Sequence, residues 1–214
     1  MLRILAAGLL VGFAIAASPG PIWFLCTRRS LTQGWASGFV SGLGVATADG
    51  FYGAVAAFGM AAVAGWLVRE SVWLRLTGGL VLAILGLHMA LSRPAAPDSV
   101  GRGVGGLAAN YVSMLGLTLT NPTTVVSFVA VGAGLGITAR EGWLPAAVLV
   151  AGVTAGSAVW WLLLTGLLHR IRGRLPQSAL RTLSVAAGSM ITLLGLAAVV
   201  GAVVSVWPVP LQIP

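Results

Sequence analysis

The chain has 214 residues, of which 58% are hydrophobic and only 7% charged, against roughly 25% charged in soluble domains, and its mean hydropathy is +1.00. No water-soluble surface can be built from that composition, and at about 20 apolar residues per membrane span the length allows about six spans in a single domain over 1–214. All twelve basic residues are Arg, against the four acids Asp49, Glu70, Asp98 and Glu141; the arginines stand singly or in small groups between apolar runs, as topology-setting charges do, and not among aromatics as a nucleic-acid platform requires.

Charge-free stretches predict an all-α integral membrane protein with spans near 4–27, 37–62, 73–92, 108–134, 144–168 and 183–206. The first begins like a secretory signal peptide, with Arg3, the apolar run Ile4 to Ile15 and the small residues Ala14, Ala16 and Ala17. It continues into Ser18-Pro19-Gly20-Pro21, which has a counterpart later in the chain and reads as part of a retained, broken helix. Cys26 has no second cysteine to pair with and reads as a small buried hydrophobe. Arg28 and Arg29 are expected in the first loop.

The second span carries Gly34, Gly38, Gly42, Ala46 and Gly50 at intervals of four, a small face that suits close static packing or, alternatively, a sliding surface. Asp49 has nineteen uncharged residues on each side, which places it near mid-span. An ionised carboxylate there costs about 2.5–3.5 kcal/mol, so it should face the bundle interior. Its candidate roles are proton carrier, ligand for a substrate ammonium, or structural carboxylate held by neighbouring hydroxyls. Tyr52, three residues on, shares its helical face and is placed to donate a hydrogen bond.

The fourth span contains Thr120-Asn121-Pro122-Thr123, and the fifth carries Ser157, Trp160 and Trp161 at mid-span. One of the two tryptophans is expected on a cargo path with Ser157, or both fill core space. His88 and His169 fall towards span ends without a cluster of His, Cys or carboxylates, so neither a metal site nor a cofactor is expected. Loops one, three and five hold eight arginines; the other side holds Arg3, Arg69, Arg75 and Arg140, partly offset by Glu70 and Glu141. Positive charge is retained in the cytoplasm, so both termini are expected outside. A five-span variant with one terminus moved also fits this count.

The two halves, about 1–93 and 105–207, share an order of features. Gly79, Gly86 and Leu87 of the third span align with Gly188, Gly195 and Leu196 of the sixth, and Gly44 of the second with Gly152 of the fifth. The proline breaks of spans one and four also correspond. Three spans per half make the second copy enter from the opposite side, an inverted repeat of the kind that places transporter sites on broken helices at the repeat interface; chance similarity of glycine-rich runs is the competing reading. Breaks at Pro19, Pro21 and Pro122 would expose carbonyls at one half-helix end, which favour cations, and amides at the next, which favour anions. A plain kink is the alternative.

Ser18-Pro19-Gly20-Pro21, Arg28-Arg29-Ser30 leading to Gly34, Gly44 leading to Asp49, Leu74-Arg75 with Gly78-Gly79 and Leu85-Gly86, Thr120-Asn121-Pro122, and Gly156-Ser157 with Trp160-Trp161 occur in one order along nearly the whole chain. In this the sequence resembles the LysE/RhtB family of bacterial amino-acid exporters. The resemblance implies a multi-pass protein of the cytoplasmic (inner) membrane, driven by the proton gradient, with amino acids or close derivatives as cargo. Thr123 departs from the family, many of whose members carry Lys there, and this bears on the cargo more than on the fold. The expected partners are the lipid bilayer and a small-molecule substrate, with no nucleic acid; monomer and homo-oligomer stay open.

Other functions meet specific obstacles. A thiol-electron carrier needs two cysteines, and a hydrolase needs a paired nucleophile and base, so no enzymatic role is expected. An exporter of another small solute or a metal ion on the same fold, and a non-transporting scaffold subunit, remain as alternatives.

Overall fold

A computed structural model describes residues 1–58, 70–91, 106–121, 124, 127–128 and 142–206. Among these the chain forms seven helices and no strand: α1 (Leu2–Ala17), α2 (Pro21–Gln33), α3 (Trp35–Ala57), α4 (Ser71–Leu91), α5 (Gly106–Leu119), α6 (Trp143–Arg172) and α7 (Gln177–Val206). By length and composition α4, α6 and α7 each qualify to cross a membrane, and α1 with α2 qualifies as one broken span. Leu80, Ile84, Leu87, Leu163, Leu167, Leu193 and Val200 lie exposed on α4, α6 and α7. Apolar surface on that scale belongs in hydrocarbon, and the protein is a membrane protein.

The first span breaks where its sequence forbids helix. Ser18 precedes a proline, a position biased away from the helical region, and it is extended at φ −65°, ψ 122°. Helix resumes with Pro21 at its first position, where a missing N–H costs nothing. The result is a 78° bend, so α2 turns across the bundle instead of continuing α1. It is wrapped there by α3, α5, α6 and α7, and its Ile22, Leu25, Cys26 and Leu31 enter the main core with Met89, Met114, Trp161 and Ile191. Gly34 then ends α2 and starts α3 at φ 101°, a left-handed conformation that favours glycine.

That geometry corrects the reading of loop one. Arg28 and Arg29 lie within α2, and the connection to α3 is Gly34 alone. Likewise Arg170 and Arg172, expected in loop five, occupy the last turn of α6, where positive charge complements the negative helix end.

The helix α3 is long enough to cross, about 35 Å at 1.5 Å per residue, but is rich in Ser and Gly. It needs little apolar surface because 14 of its 23 residues are buried against α2, α5 and α6. The helix α5, at about 21 Å, is too short to cross alone. It stops at Thr120-Asn121, where the fourth span was expected to break; Pro122, Thr123 and the rest of that expected span lie outside the described residues.

Glycines set the helix contacts. A Cβ on Gly79 would sit 2.7 Å from the Gly195 carbonyl oxygen, and one on Gly195 would sit 2.5 Å from that of Gly79. Gly86 and Gly188 meet in the same reciprocal way, at 2.7 Å and 2.6 Å. The helices α4 and α7 therefore pack antiparallel, backbone against backbone. Elsewhere a Cβ on Gly152 would meet Leu5 O at 2.7 Å and Leu9 N at 3.1 Å of α1, and one on Gly44 would meet Tyr111 O at 2.5 Å and Leu115 N at 3.1 Å of α5. The small face of α3 is used too, Gly38 lying against Ser30 of α2 and Gly42 against the Trp161 ring of α6.

Candidate functional site

The α1–α2 break opens a cavity of about 80 Å³ inside the bundle. That is room for roughly five waters or a small polar solute. The broken helix contributes Ile15, Ala16, Ser18, Pro19, Gly20, Pro21, Ile22 and Trp23; Val45 and Asp49 come from α3, Thr118 and Asn121 from the end of α5, and Trp161 from α6, with Thr124 and Ser127 completing the lining. Seven of the residues singled out from sequence thus meet in one place: Ser18, Pro19, Gly20, Pro21, Asp49, Asn121 and Trp161.

Among the described residues, Asp49 is the one acidic or basic side chain in that lining. It is 1% exposed, and its Oδ2 accepts a hydrogen bond from the Ser157 hydroxyl at 2.7 Å. Ser157, itself buried, stands behind the carboxylate and outside the lining. No salt bridge to Asp49 occurs among the described residues, so one neutral hydroxyl stands against the cost of burying a carboxylate.

Tyr52 corrects an expectation. Its hydroxyl donates to the Leu119 carbonyl of α5 and not to Asp49. The last carbonyls of a helix have no partner within it, so where α5 stops, Leu119 offers an acceptor that the phenol satisfies. The Tyr52 ring also stacks on Phe128, centroids 5.8 Å apart. Tyr52 braces the fourth-span break from behind the cavity.

The adjacent tryptophans separate. Trp160 lies edge-on to Phe13 of α1, centroids 5.2 Å apart, away from the cavity. Trp161 is 1% exposed, lines the cavity and is seated on Gly42, where a methyl group would collide with its Cβ and ring. Its indole N–H is buried and finds no acceptor among the described residues.

Sequence reasoning missed Arg29. Its Nη1 donates to Ser41 Oγ at 3.1 Å and to the Asn110 carbonyl at 3.0 Å, and its Nη2 donates to Ser113 Oγ at 3.0 Å. One guanidinium thereby ties α2 to α3 and α5, and Asn110 Nδ2 adds a contact to Gln33 Oε1 at 3.3 Å. A signal was present: Ile22, Leu25, Cys26 and Arg29 recur at helical spacing, which puts Arg29 on the apolar face. Thr118 was missed as well, a buried cavity residue whose hydroxyl returns to the Met114 carbonyl at 2.7 Å.

The described residues contain no group of three or more His, Cys, Asp or Glu that would hold a metal ion. Among known proteins, the chain is 29% identical over 177 residues to the "chemotactic transduction protein ChpE" of Pseudomonas aeruginosa, covering 80% of this chain and 85% of that protein. No solved structure matches it. The family model for the LysE type translocator matches residues 13–202, which take in the α1–α2 break, the residues named as lining the cavity and the reciprocal glycine contacts of α4 with α7. The chain therefore belongs to the LysE-type translocator family, whose members are membrane transporters and not enzymes.

Proposed function

We propose that the protein is a secondary transporter that exports amino acids or close derivatives across the cytoplasmic membrane, coupled to the proton gradient, with the cavity at the α1–α2 break as its cargo site. The observation that carries this reading is Asp49: a buried carboxylate whose hydrogen-bond partner among the described residues is Ser157, it is the single ionisable side chain that the described residues bring to the lining. An intramembrane acid facing a polar cavity is by default part of a proton or substrate path. It suits a proton carrier or an ammonium ligand, and a mostly apolar lining that also carries Ser18, Thr118, Asn121, Thr124 and Ser127 suits a small cargo with polar groups.

The architecture that goes with it is six spans in two inverted halves of one transporter domain, both termini outside. Support comes from the reciprocal contacts of Gly79 with Gly195 and Gly86 with Gly188. Aligning the halves maps each of these contacts onto the other, as a two-fold relation between the repeats demands. The matched Gly44 and Gly152 make matched contacts as well, each with the first span of the opposite half.

The test is efflux from cells loaded with amino acids or dipeptides, followed by flux in liposomes. Wild type should export at least one such solute, and Asp49→Asn, folded and inserted at wild-type levels, should export none. Normal export by Asp49→Asn would remove Asp49 from the mechanism. A second reading, a signalling membrane subunit with no cargo, draws on the printed name of the Pseudomonas relative; it gains if wild type moves no solute in either assay.

A further inference from the structure

The corner between α6 and α7 carries three exposed arginines. Arg170 lies in the last turn of α6, Arg174 in the connection between the helices, and Arg181 in the second turn of α7. Among the described residues none of the three guanidiniums has a hydrogen bond or an ion pair. Arg172 differs: it is half-buried, and its Nη2 donates to the Thr32 carbonyl of α2 at 3.4 Å. No described acid answers the charge of the corner. The sequence has none after Glu141, Asp49 is buried inside the bundle, and Glu70 precedes α4, whose start lies at the opposite end from that of α7. The negative end of α6 meets the positive end of α7 here, so the two helix ends offset each other and the arginines set the field.

Charges at span ends orient a membrane protein, and that role needs no ligand. What points further is the apolar surface beside each arginine. Leu163, Leu167 and Arg170 fall at i, i+4 and i+7 on one face of α6, and the two leucines are 56% and 57% exposed. On α7 the exposed Val185 stands one turn from Arg181. The two helices hardly pack on each other; each packs instead on α2. The corner thus presents guanidiniums at its end and, along the same helices, side chains that face hydrocarbon. A soluble anion would use only the first of these, whereas a phospholipid uses both.

We propose that the α6–α7 corner binds anionic phospholipid, with Arg170, Arg174 and Arg181 on the headgroup phosphate and the acyl chains along Leu163, Leu167 and Val185. Arginine suits phosphate because its planar fork donates to two oxygens at once. A zwitterionic lipid carries the same phosphate with its own cation beside it, so the net charge of the headgroup decides which lipid is held. Bound lipid ties together the ends of two helices that scarcely touch, and adds to the stability of the bundle. The proposal uses only the membrane setting of the chain and is independent of its cargo.

The test uses the purified full chain in mild detergent, titrated with phosphatidylglycerol, phosphatidylcholine or soluble glycerol phosphate. Native mass spectrometry reads retained lipid, and a thermal melt reads stability; neither depends on how the chain is oriented in a bilayer. Wild type is expected to bind phosphatidylglycerol at least about tenfold more tightly than phosphatidylcholine and to melt several degrees higher with it. Glycerol phosphate at the same concentration should not raise the melting temperature. Arg170→Gln, Arg174→Gln and Arg181→Gln combined should abolish most of the lipid preference, while Lys at the same three positions keeps the charge and should retain most of it. Arg181→Gln alone should weaken phosphatidylglycerol binding about fivefold, which keeps the test decisive if the triple Gln variant does not fold. Equal binding of the two lipids by wild type, or an undiminished preference in the Gln variants, would overturn the proposal. Protection by glycerol phosphate equal to that by the lipid would overturn it in favour of a free-anion site.

Discussion

At the residue scale the feature that matters is the Asp49–Ser157 pair, a carboxylate and a hydroxyl 2.7 Å apart on α3 and α6. Removing the hydroxyl leaves a buried acceptor unpartnered, which costs about 1–3 kcal/mol. Ser157→Ala should therefore lower the melting temperature in detergent by several degrees and slow transport by freeing the carboxylate from its fixed position. Unchanged melting would mean that water replaces the hydroxyl. Asp49 was legible in the sequence because nineteen uncharged residues flank it on each side, and only a buried, satisfied acid tolerates that setting. Its partner was visible only as a polar residue at mid-span. The choice between Trp160 and Trp161 was not legible, because neighbours on a helix point about 100° apart and only packing against Gly42 or Phe13 decides which faces the cavity.

At the element scale, α2 is the unusual piece: a helix of mixed polarity lying across the bundle and pinned at its far end by Arg29. The fork geometry of guanidinium lets one side chain meet Ser41 and the Asn110 carbonyl through Nη1 while Nη2 meets Ser113. An ammonium cannot span those acceptors in the same way. Arg29→Lys keeps the charge and should still lower stability by about 1–3 kcal/mol, whereas Arg28→Lys, at a residue whose Nε finds no hydrogen-bond partner among the described residues, should cost less. Thermal melts of the two variants side by side check this, and equal shifts would count against Arg29 as the tie. The break before α2 could be read from Pro19 and Pro21, since proline dictates it locally. The 78° bend and the burial of Arg29 could not, because both depend on helices far along the chain, and a charge count treats every arginine as a loop residue.

At the scale of the whole molecule, the antiparallel packing of α4 against α7 has a consequence for orientation. Glycine contacts pair residue 79 with 195 and 86 with 188, so the start of α4 and the start of α7 point to opposite ends of the bundle. If both helices cross the bilayer, their first residues lie on opposite sides of it. The excess of arginine around α6 and α7, with Arg170, Arg172, Arg174 and Arg181 close together, is the basis on which the proposed orientation puts the start of α7 in the cytoplasm and that of α4 outside. The native thiol does not interfere, because Cys26 is fully buried. Glu70→Cys should therefore react with a membrane-impermeant maleimide in intact cells, and Ser178→Cys only after the membrane is permeabilised. Labelling of both from one side would break the two-half arrangement. The reverse pattern would keep the arrangement and turn the protein over, placing both termini in the cytoplasm and reversing the face from which cargo reaches Asp49.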